Sequence, residues 1–286
     1  MVVGIALAIG GTAYSAWTDI RTGYVEDWLS HAMIVAGIVL VLFTLPTTDA
    51  AAWTLAIGGM VFAAGFAAYS FGQMGGGDVK LFTAIALLVP QQPQLSQLFG
   101  IQPAAAIYPF IVSVFVLSGI IYMYVIPLEF LRRIFSKRNL VGGFRKKIQK
   151  GIIYAFLLAP VFVFWAHISA GFLFLAFPMA ATMMLAPFKD DAVRLFFAKP
   201  KLVSRLDDED VLALEAMRPH VKKKLGLWRK TFTMRELESI RKRARQHGIG
   251  KVMVCENLPK FVPYMFASLI ITSIFGDFMM WLVLNI

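Results

Sequence analysis

Apolar residues run almost unbroken through eight stretches of the chain, at about 2–17, 29–46, 52–72, 80–90, 104–127, 151–167, 169–187 and 261–284. Crossing the hydrocarbon layer of a bilayer takes roughly 20 mostly apolar residues in a helix, and most of these stretches approach that length. The run at 80–90 is short and needs its polar entrance, residues 78–80, to complete a crossing. The stretch 151–187 is too long for one span and breaks at His167-Ile168-Ser169, so two helices are expected there. Pro46-Thr47-Thr48, Gln91-Gln92-Pro93-Gln94 and Gly142-Gly143 punctuate the others. The first run lacks a basic n-region and leads directly into Asp19-Ile20-Arg21, so it reads as a retained helix rather than a cleaved signal peptide.

Only residues 188–258 look like a substantial soluble part. Asp207-Asp208-Glu209-Asp210 precedes a helix-like run at 211–217, where acids suit the positive end of a helix. Thr233-Met234-Arg235-Glu236 has the form of a capping box, starting a helix that runs to about Gln246, with Gly248 at its end. Residues 251–255 alternate like a short strand. The pattern therefore predicts an all-α polytopic membrane protein of about eight transmembrane helices with a small α+β domain. Its expected divisions are a transmembrane region at 1–127, a basic loop at 128–150, a helical pair at 151–187, the small domain at 188–258 and a last helix at 259–286.

Composition agrees. Of 286 residues, 58% are hydrophobic and 16% charged, against about a quarter charged in a soluble domain. The net charge of +11 would suggest a nucleic-acid binder only if the cations were spread over a soluble surface. Instead, assigning the polar segments alternately to two sides puts every Lys and Arg on one side, or at a helix entrance opening to it. That side holds 18–28, 73–79, 128–150 and 188–260, and by the positive-inside rule it is cytoplasmic, with both termini opposite. The basic clusters around Arg132–Lys150, Lys222-Lys223-Lys224 and Arg241-Lys242-Arg243 then read as topology signals touching anionic membrane lipids. No nucleic-acid partner is expected. One cysteine, Cys255, and four scattered histidines give no metal-ligand spacing, so no metal or cofactor is expected.

Two acids interrupt apolar helix ends. Asp19 closes the first run, and Asp78 follows Gly75-Gly76-Gly77 at the start of the fourth. The topology puts both on the cytoplasmic side, where they can meet. Ionisable groups at membrane depth mark functional sites by default. Two adjacent carboxylates do not both ionise easily, so one keeps a proton, which gives an acid and base pair able to hydrolyse a peptide bond without a metal. Glycines before Asp78 accept positive φ and let backbone approach closely. Glu26 and Asp27 compete with Asp19 for the first position. Asp27 suits the cap of the second helix, and the pair could instead attract a basic substrate segment. Asp277, in the last run, counts toward the opposite side and reads as a polar helix contact or as an acid exposed at the interface.

Gly75-Gly76-Gly77-Asp78 with Lys80 resembles the GxGDxK signature of prepilin peptidases. Asp19-Ile20-Arg21 with Tyr24 and Trp28 resembles their first-aspartate segment. Leu258-Pro259-Lys260-Phe261-Val262-Pro263 and Phe275-Gly276-Asp277 resemble the ending of archaeal preflagellin (archaellin) peptidases. The resemblance covers 1–127 and 250–286, leaving 151–187 as an extra helical pair beside a six-helix peptidase core. It implies an aspartic endopeptidase of the plasma membrane, with its active site at the cytoplasmic face and Asp19 and Asp78 catalytic. Its substrates would be pilin-like or archaellin precursors carrying a short basic leader, met by Gly75, Gly76, Gly77, Lys80, Arg21, Glu26 and Asp27. A transporter or channel using the same acids for protons or cations is the alternative, although no inverted repeat is visible. A presenilin-like protease fits less well, because Thr18 precedes Asp19 and no Pro-Ala-Leu tripeptide occurs. The cysteine-pair segment of bifunctional, N-methylating prepilin peptidases is absent.

Overall fold

The computed structural model describes residues 2–45, 47–71, 73–93, 95, 108–136, 141–168, 173–207, 210–230, 232–256 and 260–277. Through 188 these form α1 (Val2–Thr22), α2 (Asp27–Thr44), α3 (Thr48–Ser70), α4 (Gly76–Leu88), α5 (Phe110–Ser136), α6 (Phe144–Leu157), α7 (Ala159–Ile168) and α8 (Leu173–Leu185). A single turn, α9 (Lys189–Ala192), leads into the small unit built from β1 (Ala198–Leu202), α10 (Pro219–Leu225), α11 (Met234–Gln246) and β2 (Lys251–Cys255). Helix α12 (Val262–Phe275) follows.

Each expected apolar run holds a helix, but among the described residues only four helical stretches are long and apolar enough to cross a membrane. They are α2, α3, α5 and the stretch Phe144–Phe164 formed by α6 and α7. The 13 residues of α4 span only about 20 Å, and α12 is an apolar helix of 14 residues. The start of the expected fifth run and the end of the last lie outside the described residues.

Helix α4 is central. From Val79 to Leu88 its residues are buried almost without exception, as expected of a helix that is apolar on every side. It packs on α1, α2, α3 and α5. Small residues on the neighbours bring the backbones close: a Cβ on Gly37 of α2 would lie 2.7 Å from the Cβ of Leu87, the small-residue packing of helices in lipid. The core adds Ile5 and Ala8 of α1, Ile111 and Val114 of α5 and Met265 and Leu269 of α12. Outward faces carry exposed Phe43, Trp53 and Phe66, as suits a surface solvated by acyl chains.

Two sequence expectations change. The basic stretch 128–150 is mostly helix, not loop: α5 runs on through Pro127 to Ser136, and α6 begins at Phe144. Pro127 removes one backbone donor, yet the helix continues because Ile134 is buried in a small core with Val141 and Phe188, against which Phe130 and Phe144 pack. Lys147 of α6 also bonds Asp191 of α9. Secondly, residues 211–217 do not form the expected helix, beyond a 3-10 turn at Leu214–Ala216. Their backbone is captured by β2: the Cys255 N–H donates to the Val211 carbonyl and the Ala213 N–H to the Met253 carbonyl.

The small unit has its own core of Val203, Leu206, Leu212, Leu225, Leu237, Ile240, Val252 and Val254. Strands β1 and β2 pair antiparallel, with Ala198 opposite Cys255 and Leu202 opposite Lys251. The capping box forms as the sequence predicts, Thr233 accepting from the Glu236 N–H and Glu236 from the Thr233 N–H.

Candidate active site

Asp19 projects from the penultimate turn of α1. Two threonine hydroxyls of this helix turn back on its own carbonyls, Thr12 to Ala8 at 2.6 Å and Thr18 to Ser15 at 3.0 Å, whereas the Ser15 hydroxyl is buried without a hydrogen-bond partner. Asp19 is only 7% exposed. One carboxylate oxygen, Oδ2, is buried without a hydrogen-bond partner. The N–H of Val262, at the first turn of α12, donates to the carboxylate, and the charge of Lys260 acts on it. A helix N-terminus presents unpaired N–H groups and positive potential, so it suits an anion.

Asp78 comes from the opposite kind of helix end, the first turn of α4. Its Oδ2 accepts from the Gly75 N–H at 3.2 Å. Gly75 has φ −75° and ψ 146°, an extended conformation open to any residue, and Gly76 and Gly77 do not have positive φ either. The left-handed geometry that the glycine run could have used is therefore not what it supplies. Closeness is: a Cβ on Gly77 would sit 2.8 Å from the Cβ of Val25, and one on Gly75 2.9 Å from Asp78 Oδ2.

The two acids, 59 residues apart by their numbers 19 and 78, come together where α1 ends and α4 begins, near enough that the charge of Asp19 acts on Asp78. An aromatic wall stands beside them. Tyr122 of α5, within electrostatic reach of Asp78, meets Phe261 at 5.4 Å and Tyr264 at 5.7 Å between ring centroids, and Phe261 meets Phe82 of α4 at 6.0 Å. Low-dielectric walls strengthen interactions between charges.

The other sequence candidates form a rim. Lys80 Nζ lies 2.5 Å from Asp27 Oδ1, joining the starts of α4 and α2. Asp27 is thus the first helical residue and an ion-pair partner, not the cap, a position held by Glu26. Glu26 accepts from the Trp28 indole. The Arg21 guanidinium lies 4.3 Å from the centroid of the Trp17 ring. Asp277 is far from none of its own partners: buried, it accepts from Ser113 at 3.1 Å, which makes it the polar helix contact that its position predicts.

Lys260, Val262 and Tyr122 were not singled out for this site by sequence reasoning. The signal for Lys260 was present in its place before α12, in a segment that the charge pattern assigns to the same side as Asp19. Among the described residues, no group of three or more His, Cys, Asp or Glu side chains could hold a metal ion.

Comparison with known proteins points to the same part of the chain. Residues 6–128, spanning both acids, match the type IV leader peptidase family. The prepilin peptidase EppA of Methanothermobacter thermautotrophicus is 27% identical over 157 residues, covering 52% of this chain and 40% of that protein. The matched part is therefore less than half the length of that relative. No solved structure matches the chain. The acids held at the end of α1 and the start of α4 both lie inside the matched region, so fold and comparison point to one part of the chain: over residues 6–128, it is similar to the type IV leader peptidase family.

Proposed function

We propose that the chain is an intramembrane aspartic endopeptidase that removes the short basic leader from pilin-like or archaellin precursors. The juxtaposition of Asp19 and Asp78 carries this reading. Two carboxylates in one poorly solvated site share a proton. The ionised one takes a proton from water as that water attacks the scissile carbonyl, while the protonated one hydrogen-bonds the carbonyl oxygen. Gly77 packs against Val25, and Gly76, where a Cβ would meet only Tyr69 at an ordinary 3.6 Å, is the glycine past which a substrate strand can approach Asp78. Glu26, which forms no ion pair among the described residues, is the rim acid suited to a basic leader, since Asp27 is already matched by Lys80.

The one-sided distribution of Lys and Arg supports a plasma-membrane protein of eight spans with this site at the cytoplasmic face, and with the small domain on that side.

The test is leader cleavage by the purified full chain in detergent, using a precursor with a basic leader and an apolar helix. Asp19→Asn and Asp78→Asn should each lower kcat/KM by about 100-fold or more, the scale of lost acid–base catalysis, while inserting normally. Wild-type rates in either variant would sink the assignment. Flux of protons or cations through proteoliposomes that needs Asp78, without cleavage, would replace the enzyme by a transporter.

A further inference from the structure

Lys260, just before α12, brings a cation to the end of α1. The Lys260 ammonium donates to the Ile20 carbonyl, in the last turn of α1, where helical carbonyls have no donor four residues on. The same ammonium acts on Asp19, one residue earlier, and two residues after Lys260 the Val262 N–H bonds the Asp19 carboxylate. Burial works against negative charge on Asp19, and one short stretch of chain offsets it twice, through a cation and through the first turn of a helix.

Asp78 has a different surrounding. It accepts one backbone N–H, from Gly75, in a wall that includes Tyr122. Lys80, two residues away, is turned to Asp27. Charged groups facing Asp19 from the packed elements are Asp78 on α4 and Lys260 before α12; Arg21, on its own helix, lies over Trp17. The asymmetry lies in the partners: Asp19 has a cation, and Asp78 has an anion.

We propose that Lys260 is a positioning residue that fixes Asp19 as the ionised member of the pair and leaves the shared proton on Asp78. This rests on the leader-peptidase reading above. It orders the proton movements. Asp19 takes a proton from the attacking water while the water oxygen bonds the scissile carbon, and Asp78 gives its proton to the carbonyl oxygen as the C=O π bond opens, forming a gem-diol. Asp19 then delivers its proton to the amide nitrogen as the C–N bond breaks. A gem-diol hydroxyl returns a proton to Asp78, so both acids end in their starting states.

The experiment is the pH profile of kcat/KM for leader cleavage by the full chain in detergent, for wild type, Lys260→Arg, Lys260→Met and Lys260→Gln. The rate needs Asp19 ionised and falls as the pH drops through its titration. Without the cation, the acid limb should move up by about one pH unit, with rates converging on wild type at high pH. Lys260→Arg should keep the wild-type limb. Lys260→Gln separates charge from capping, since its amide can still donate to Ile20 but carries no charge. It should match Lys260→Met. Superimposed profiles for wild type and both neutral variants would overturn the proposal. So would a pH-independent loss accompanied by a lower melting temperature, which would mark Lys260 as a helix cap alone. No cleavage by wild type at any pH would overturn the peptidase reading itself, and the proposal with it.

Discussion

At the scale of single residues, the site is a set of close approaches more than a set of unusual conformations. Gly77 shows this best, since its backbone is ordinary and only the nearness of Val25 excludes a side chain. Gly77→Ala should overpack this contact and destabilise the protein by about 1–3 kcal/mol, lowering both the melting temperature and kcat/KM. Gly76→Ala is the control, because its Cβ would meet Tyr69 at an ordinary 3.6 Å. Equal effects in the two variants would contradict the argument. The acids were legible in sequence because a carboxylate at the end of an apolar run has few structural uses. Lys260 was not: in a one-sided charge distribution, a lysine before the last helix is one topology signal among many, and only coordinates show which carbonyl and which acid it faces.

At the scale of elements, helix ends decide most of what was predictable. The box at Thr233 and Glu236 forms because each side chain satisfies the other's backbone N–H and both residues lie within one turn. The Thr233 N–H holds the Glu236 carboxyl below its usual range, helped by the Thr233 hydroxyl and the Arg229 charge. A lowered acid of this kind stabilises the helix fully above its unfolded pKa of about 4.3, and that contribution disappears as pH falls through the lower folded value. Hydrogen exchange at the first turn of α11, corrected for its intrinsic pH dependence, should therefore accelerate below about pH 4.3. Thr233→Ala should speed it at neutral pH by about fivefold, the equivalent of about 1 kcal/mol. Unchanged protection in that variant would remove the cap from the account. The failed element, 211–217, teaches the complement. Its acids and apolar residues suit a helix locally, but the edge of β2 offers its backbone a partner, and no local pattern announces that. Strand β1 was equally hidden, because Ala198-Lys199-Pro200-Lys201-Leu202 lacks β-branched residues and contains a proline; at the edge of a two-stranded sheet the proline is tolerated.

At the scale of the whole molecule, three cores are distinct among the described residues. One gathers around α4, another around Leu212, Leu237 and Val254, and a small third joins Ile134, Val141 and Phe188. The number and order of apolar runs were legible because lipid demands length and apolarity together. Packing depth was not legible, since hydropathy alone does not distinguish α4, buried on all sides, from α3, whose outer face is exposed. The eight-span arrangement predicts where reagents reach the chain. With Cys255 replaced by Ser, single cysteines at Gln73 and Arg235 should react with a membrane-impermeant maleimide only from the cytoplasmic side, and one at Asp49 only from the opposite side. Labelling of positions 49 and 73 from the same side would break the topology.

The antiparallel ladder also has an architectural consequence. Leu202 and Lys251 are cross-strand partners, so their Cα atoms lie about 5 Å apart, although 48 residues of chain separate them. The intervening lobe leaves and returns through one narrow clasp, then folds back along β2, where Leu212 bridges Val254 and Val252 and Val254 complete its core. Excising it would strip one edge and one face from that strand, so the lobe and β2 should unfold together.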